Sequence, residues 1–183
     1  MMRWRLPLFI IAALITLLFL NGIVWRHEQT LAQGRAILLP LRPVDPRSLM
    51  QGDYMALDYQ LTQQLTKQLV AAQTPPAPGQ ALGVILGTDA DGVAQFLRMA
   101  QAGEQPQAGE TLVRLKWEDN GAHLPSSSYF FAEGEGARFA QARYAIFRVA
   151  SDGTALLAGL ADQQHQAIPH RIKKTPATSD SKQ

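Results

Sequence analysis

Gly52-Asp53-Tyr54-Met55-Ala56-Leu57-Asp58-Tyr59-Gln60-Leu61-Thr62-Gln63-Gln64-Leu65 carries two periods, and the choice between them decides the fold. Met55, Leu57 and Tyr59 alternate as the side chains of a strand do, whereas Tyr54, Leu57, Leu61 and Leu65 share one face of a helix. Glycine is a natural starting point and aromatic residues suit a pleated surface, so a strand is expected over Tyr54 to Tyr59. Leu61, Leu65 and Leu69 lie four apart and predict a helix over about Thr62 to Ala72. Thr74-Pro75-Pro76-Ala77-Pro78-Gly79 ends it, because proline lacks the amide proton and clashes with the preceding turn.

On both sides the chain reads as strands. Ala36 to Leu41 is short and apolar and is closed by Pro40, Pro43 and Pro46. Ala81 to Gly87, the turn Asp89-Ala90-Asp91-Gly92, and Val93 to Met99 form a hairpin pattern. From Thr111 to Trp117, Val113, Leu115 and Trp117 point one way and Arg114 and Lys116 the other; Asn120-Gly121 is the next turn. Ala145, Phe147 and Val149 alternate with Tyr144, Ile146 and Arg148 before Ser151-Asp152-Gly153 turns the chain into Ala155 to Leu160. The alanines and arginines of Glu133 to Arg143 favour a short helix. From Gln163 the chain is polar and unpatterned, as a disordered tail would be. The expected fold class is α+β, mainly β.

Ahead of these strands stands a different kind of segment. Leu6 to Trp25 is 20 residues without a charge, which as a helix spans about 30 Å, the thickness of a bilayer's hydrocarbon core. A cleaved signal peptide would have a shorter apolar region followed closely by a small-x-small site. Here Trp25-Arg26-His27-Glu28 follow, so a retained single-pass anchor in contact with the lipid bilayer is expected. Arg3 and Arg5 before the run, against Arg26 and Arg35 after it, slightly favour an N-terminus inside the cell. The organisation is therefore residues 1–5 cytoplasmic, 6–25 spanning, 26–35 juxtamembrane, 36–162 a β-rich domain outside the cytoplasm, and 163–183 the tail.

Composition narrows the function. A chain of 183 residues suggests one domain, and a net charge of +2 with its basic residues dispersed argues against nucleic acid as a partner. With no cysteine there is no disulfide framework, thiolate metal site or cysteine nucleophile. His27, His123, His165 and His170 are scattered and show no zinc spacing. Asp89-Ala90-Asp91-Gly92 lacks the further acidic ligands of a calcium loop and reads as a hairpin turn. No phosphate-binding glycine motif is present, and no cofactor is expected.

Gly52-Asp53-Tyr54, Leu57 and Tyr59 fit the pattern G-D-Y-x-x-L-x-Y in full. The chain thereby resembles the GDYXXLXY proteins, bacterial proteins of undetermined biochemistry. Further along, Tyr129-Phe130-Phe131 followed by Glu133-Gly134, and Ala142-Arg143-Tyr144, are similar to stretches of the same family, so the likeness extends over most of Ile37 to Leu160. The resemblance implies an inner-membrane protein with its domain outside the cytoplasm, working with a multi-pass membrane protein. It singles out Asp45, Pro46, Arg47, Gly52, Asp53, Tyr54, Leu57, Tyr59, Tyr129, Phe130, Phe131, Glu133, Gly134, Arg143 and Tyr144 as motif residues, structural or binding.

Each has a structural reading: Gly52 for a positive φ, Asp53 accepting nearby amides or pairing with Arg143, Arg143 meeting Glu133, and tyrosines packed with their hydroxyls satisfied. A carboxylate beside two phenols also suits a cation or a peptide end. An enzyme reading rests on a loose similarity to signal-peptidase-like serine/lysine proteases. Val44 and Asp45, not serine, precede Pro46, however, and the strand that would carry the base offers Arg98, which stays protonated. Ser48 with Lys67 or Lys116 is the residual arrangement. The reading leans away from an enzyme and towards an accessory or interaction module. A membrane-anchored hydrolase and a ligand- or peptide-binding sensor are the alternatives.

Overall fold

The computed structural model describes residues 5–42, 50–51 and 54–169. Asp45, Pro46, Arg47, Ser48, Gly52 and Asp53 lie outside the described residues, as do 170–183. The first element is helix α1, Arg5–Gln33, which runs through the apolar run 6–25 and most of the expected juxtamembrane segment without a break. It is long and apolar enough to cross a membrane, and none of its apolar window is covered by the rest of the protein. Thr16 and Asn21 each return a side-chain donor to a carbonyl four residues back, those of Ala12 and Leu17.

The domain that follows is mainly β. Strand β1, Arg35–Pro40, pairs antiparallel with β9, Tyr144–Val149, which pairs on its other side with β10, Ala155–Ala161. The second sheet places β4, Ala81–Thr88, between β5, Ala94–Met99, and β6, Glu110–Glu118, with β7, Gly121–His123, outside β6. The third is small: β2, Met50–Gln51, then β3, Tyr54–Ala56, then β8, Ser128–Phe130. Helix α2, Gln60–Ala71, lies against β7 and β1. Helix α3, Gly136–Phe139, is a single turn.

Alternation dictates which faces meet. Val113, Leu115 and Trp117 are buried while Arg114 and Lys116 are exposed, and Ala145, Phe147 and Val149 are buried in the same way. These faces join Ile37, Leu39, Val84, Leu86, Leu160 and the inner face of α2 in one core. Leu61 and Leu65 are buried and Leu69 is packed against them, as their spacing requires. Asp89 forms the expected turn: its Oδ1 accepts the amides of Asp91 and Val93 at 3.0 and 2.9 Å. Gly121, at φ +130°, sits where a Cβ would strike the Thr66 side chain; that hydroxyl accepts the Ala122 amide and donates to the Thr62 carbonyl.

Three expectations are adjusted. The strand over Tyr54 to Tyr59 pairs regularly only to Ala56, and α2 starts at Gln60, because Tyr59 leaves β3 to bridge to Leu41. The helix over Glu133 to Arg143 shrinks to one turn. Gly134 takes φ +82°, and the Arg143 amide is drawn into the sheet by the Ala161 carbonyl at 2.8 Å, so tertiary hydrogen bonds outweigh the weak preference of alanine and arginine. Residues 163–169, read as part of the tail, fold back: Ile168 donates its amide to the Leu160 carbonyl and Ala167 bridges Ala161.

One side-chain cluster sets an acid limit on the second sheet. Arg98 holds Glu110 with two hydrogen bonds, at 2.6 and 3.0 Å, and Glu104 with a further pair, at 2.6 and 3.2 Å. The Arg98 guanidinium, helped by the Gln107 amide, pulls the Glu110 carboxyl down to about 2. The Gln101 amide, and then Arg98, lower that of Glu104. A carboxyl depressed on folding stabilises above its unfolded value near 4.5, and that contribution is lost as pH falls towards 2. Acid titration of the melting temperature should therefore fall more steeply below pH 4.5 in the wild type than in Arg98→Met. Parallel curves would show that the clamp does not couple to folding.

Candidate functional site

The two stretches singled out in the sequence are more than 70 residues apart, and the fold puts them side by side. Strand β3 pairs antiparallel with β8: Tyr54 opposite Phe130, Met55 opposite Tyr129, Ala56 opposite Ser128. Just past the ladder the Leu57 amide donates to the Ser127 carbonyl at 2.8 Å. Successive side chains of a strand point to opposite faces, so this small sheet has one face turned inward and one outward.

The inward face is structural. Met55 and Leu57 are buried. The Tyr129 ring meets Phe139 edge-on at 5.1 Å, and Phe131 stacks on Phe139 at 5.3 Å, so α3 closes over the back of β8. Tyr59 is buried, with its ring 5.8 Å from Phe147 and its hydroxyl donating to the Ser126 carbonyl at 2.7 Å. Burial pushes the Tyr59 phenol well above its ordinary range, which keeps it a neutral donor. The Tyr59 carbonyl in turn accepts the Thr62 hydroxyl at 3.0 Å and opens α2.

The outward face carries an aromatic pair. The Tyr54 and Phe130 rings lie 5.7 Å apart, tilted by 38°. Phe130 is 72% exposed on β8, which ends the order of this sheet. A large apolar ring so exposed, on a short strand that pairs on one side only among the described residues, is a surface that water disfavours and a protein or peptide can cover.

The remaining motif residues separate by role. Glu133 is exposed and Gly134 occupies the turn after Phe131. Arg143 does not meet Glu133: its Nη1 donates to the Ala142 carbonyl at 3.0 Å, and its backbone links β1 to β10 through Leu41 and Ala161. Tyr144 stands in the first sheet with its ring 4.7 Å from His165. The pairing of Asp53 falls outside the described residues.

Among the described residues the buried carboxylate is Glu135, 4% exposed. It lies 3.7 Å from Arg138 and accepts the Ala132 amide at 3.4 Å. Tyr129 is raised above the ordinary phenol range by burial and then by the negative charge of Glu135. The alternation of Glu133, Gly134, Glu135 and Gly136 offers two equivalent acids, and only the turn decides which one points inward.

Chemically, the described part of the site offers aromatic surface and one buried acid. Among the described residues no group of three His, Cys, Asp or Glu side chains is placed to hold a metal ion. Arg98, where a lysine base would be wanted, is committed to Glu104 and Glu110. Lys67 and Lys116 are exposed, on α2 and on the outer side of β6.

Comparison with known proteins gives one match. Residues 16–160 fit the family model described as GDYXXLXY protein. No curated protein and no solved structure matches.

Proposed function

The chain belongs to the GDYXXLXY family, and we propose that it is a membrane-anchored accessory module whose domain stands outside the cytoplasm and docks on a multi-pass membrane protein. The observation that carries this reading is the outward aromatic pair, Tyr54 and Phe130, on a sheet made of the two motif segments. Helix α1 supports it by supplying an anchor that would keep the domain at a membrane surface. Phe130 is the residue of choice for the contact, since aromatic side chains give large contact area at small entropic cost.

Site-specific photo-crosslinking in intact membranes tests the proposal. A photoreactive phenylalanine analogue at Phe130 is expected to give one discrete adduct containing a multi-pass membrane protein. The same analogue at Leu97, also exposed but on the second sheet, should give none. Equal adducts from both positions, or none from Phe130, would overturn the assignment. Phe130→Asp should abolish complex formation while leaving the melting temperature within a few degrees, because a 72% exposed ring contributes little to the core.

A further inference from the structure

Helix α1 passes into the domain with only Gly34 between it and β1. Gly34 ends the helix where a Cβ would run into the Thr30 carbonyl and lie 3.1 Å from both the amide nitrogen and the carbonyl oxygen of Val149. Arg148 clamps the same point by donating to the Gly34 carbonyl at 3.1 Å, and Arg26 lies 3.5 Å from Asp152. From Arg26 to Gln33 the helix rises only about 12 Å at 1.5 Å per residue. The domain is thus held close to the end of the apolar run.

Between this part of α1 and the ends of β6 and β9 lies an open cleft of about 880 Å³. Its lower rim is Ile23 and Trp25, the last residues of the apolar run, and its wall carries Arg26, His27, Arg35 and Thr30. Its two carboxylates have partners of their own: Glu110 is held by Arg98, and Asp152 faces Arg26. Among the described residues Arg35, by contrast, donates only to neutral oxygens: the Glu110 and Gly109 carbonyls at 2.9 and 3.3 Å and the Thr88 hydroxyl at 2.9 Å. That guanidinium has no carboxylate partner among the described residues and shares its cleft with a tryptophan and an isoleucine, a combination that matches an amphiphile with an anionic head.

We propose that this cleft seats a phospholipid from the surrounding bilayer, with its phosphate against Arg35 and its acyl chains running down Ile23 and Trp25. Arginine suits phosphate because its guanidinium keeps its charge and carries five N–H donors, of which the three hydrogen bonds of Arg35 use three. Tryptophan at the rim suits the boundary between headgroups and acyl chains. The bound lipid fills the space between anchor and domain and fixes the height and tilt at which the domain stands over the membrane. The proposal rests on reading α1 as a membrane span.

The test uses the full chain reconstituted into nanodiscs of phosphatidylcholine alone or of an equal mixture with phosphatidylglycerol. Native mass spectrometry after release then counts the retained lipids. The chain should retain one phosphatidylglycerol in preference to phosphatidylcholine, and Arg35→Gln should weaken that retention by about fivefold, as expected for one cation lost near a lipid surface. Thr30→Phe, which fills the cleft from its helical wall and keeps every arginine, should abolish retention; it is the control should Arg35→Gln unfold. Failure of the chain to enter nanodiscs of either lipid would overturn the span reading and this proposal together. Entry with no retained or preferred lipid would overturn the proposal alone and hand the cleft to a protein helix. Equal protection by soluble inorganic phosphate would overturn the assignment to a lipid.

Discussion

Phe139→Ala is expected to destabilise the domain by about 3–5 kcal/mol, the range for removing a fully buried aromatic ring. Phe139 has no exposed surface and contacts both Tyr129 and Phe131. It is the one fully buried side chain of a helix of four residues, far too short to persist by itself. Without the ring, α3 has nothing to hold it over β8, and the motif sheet loses the surface it packs on. For a domain of this size the melting temperature should fall by roughly 10–20 °C, read by circular dichroism of the full chain in detergent. Phe139→Leu keeps most of the volume and should recover most of the loss. A shift of only a few degrees in Phe139→Ala would mean that β8 is held in place by something other than α3. The alanine variant should also lose the crosslink from Phe130, because the outward ring is presented by a strand that Phe139 supports from behind.

Tyr59 separates a structural from a binding reading of the motif. Tyr59→Phe should cost about 0.5–1.5 kcal/mol, since the half-buried Ser126 carbonyl loses its donor. Tyr59→Ala should cost about 3–5 kcal/mol, because the ring that meets Phe147 goes as well. Urea denaturation checks both, as a shift in midpoint at constant slope. If Tyr59→Phe were as stable as the wild type yet inactive in the cell, the hydroxyl would belong to a binding site and the structural account would fail. The same logic explains why Tyr54 and Tyr59, five residues apart in one motif, have opposite destinies. Tyr54 stays on β3 beside the exposed Phe130, whereas Tyr59 has left that strand for the core.

Much of the architecture follows from local pattern. An uncharged apolar run of this length satisfies its own backbone hydrogen bonds as a helix, and α1 is one, long and apolar enough to cross a membrane. Alternation over Thr111 to Trp117 and Tyr144 to Val149 assigns each side chain to a face, because a strand has a period of two. Turn residues such as Asp89 and Gly92 satisfy their own backbone within a few positions, so their role is legible without the rest of the chain. The motif itself, and with it the family, is a matter of sequence alone.

What needed the tertiary structure are the relations between distant segments. Nothing local states that β3 will pair with β8, or that their outer faces will bring Tyr54 and Phe130 together, since strand pairing is decided by which edges the whole core leaves open. The helical tendency of Glu133 to Arg143 was real but weak, and one hydrogen bond from the Arg143 amide to Ala161, with the turn at Gly134, was enough to override it. Glu135 rather than Glu133 became the buried acid because the turn, not the composition, sets the direction of each side chain. The cleft beneath the domain exists only because Gly34 lets a helix end against the backbone of Val149, more than a hundred residues away. Periodicity is a property of neighbours in the chain, and these features are properties of neighbours in space.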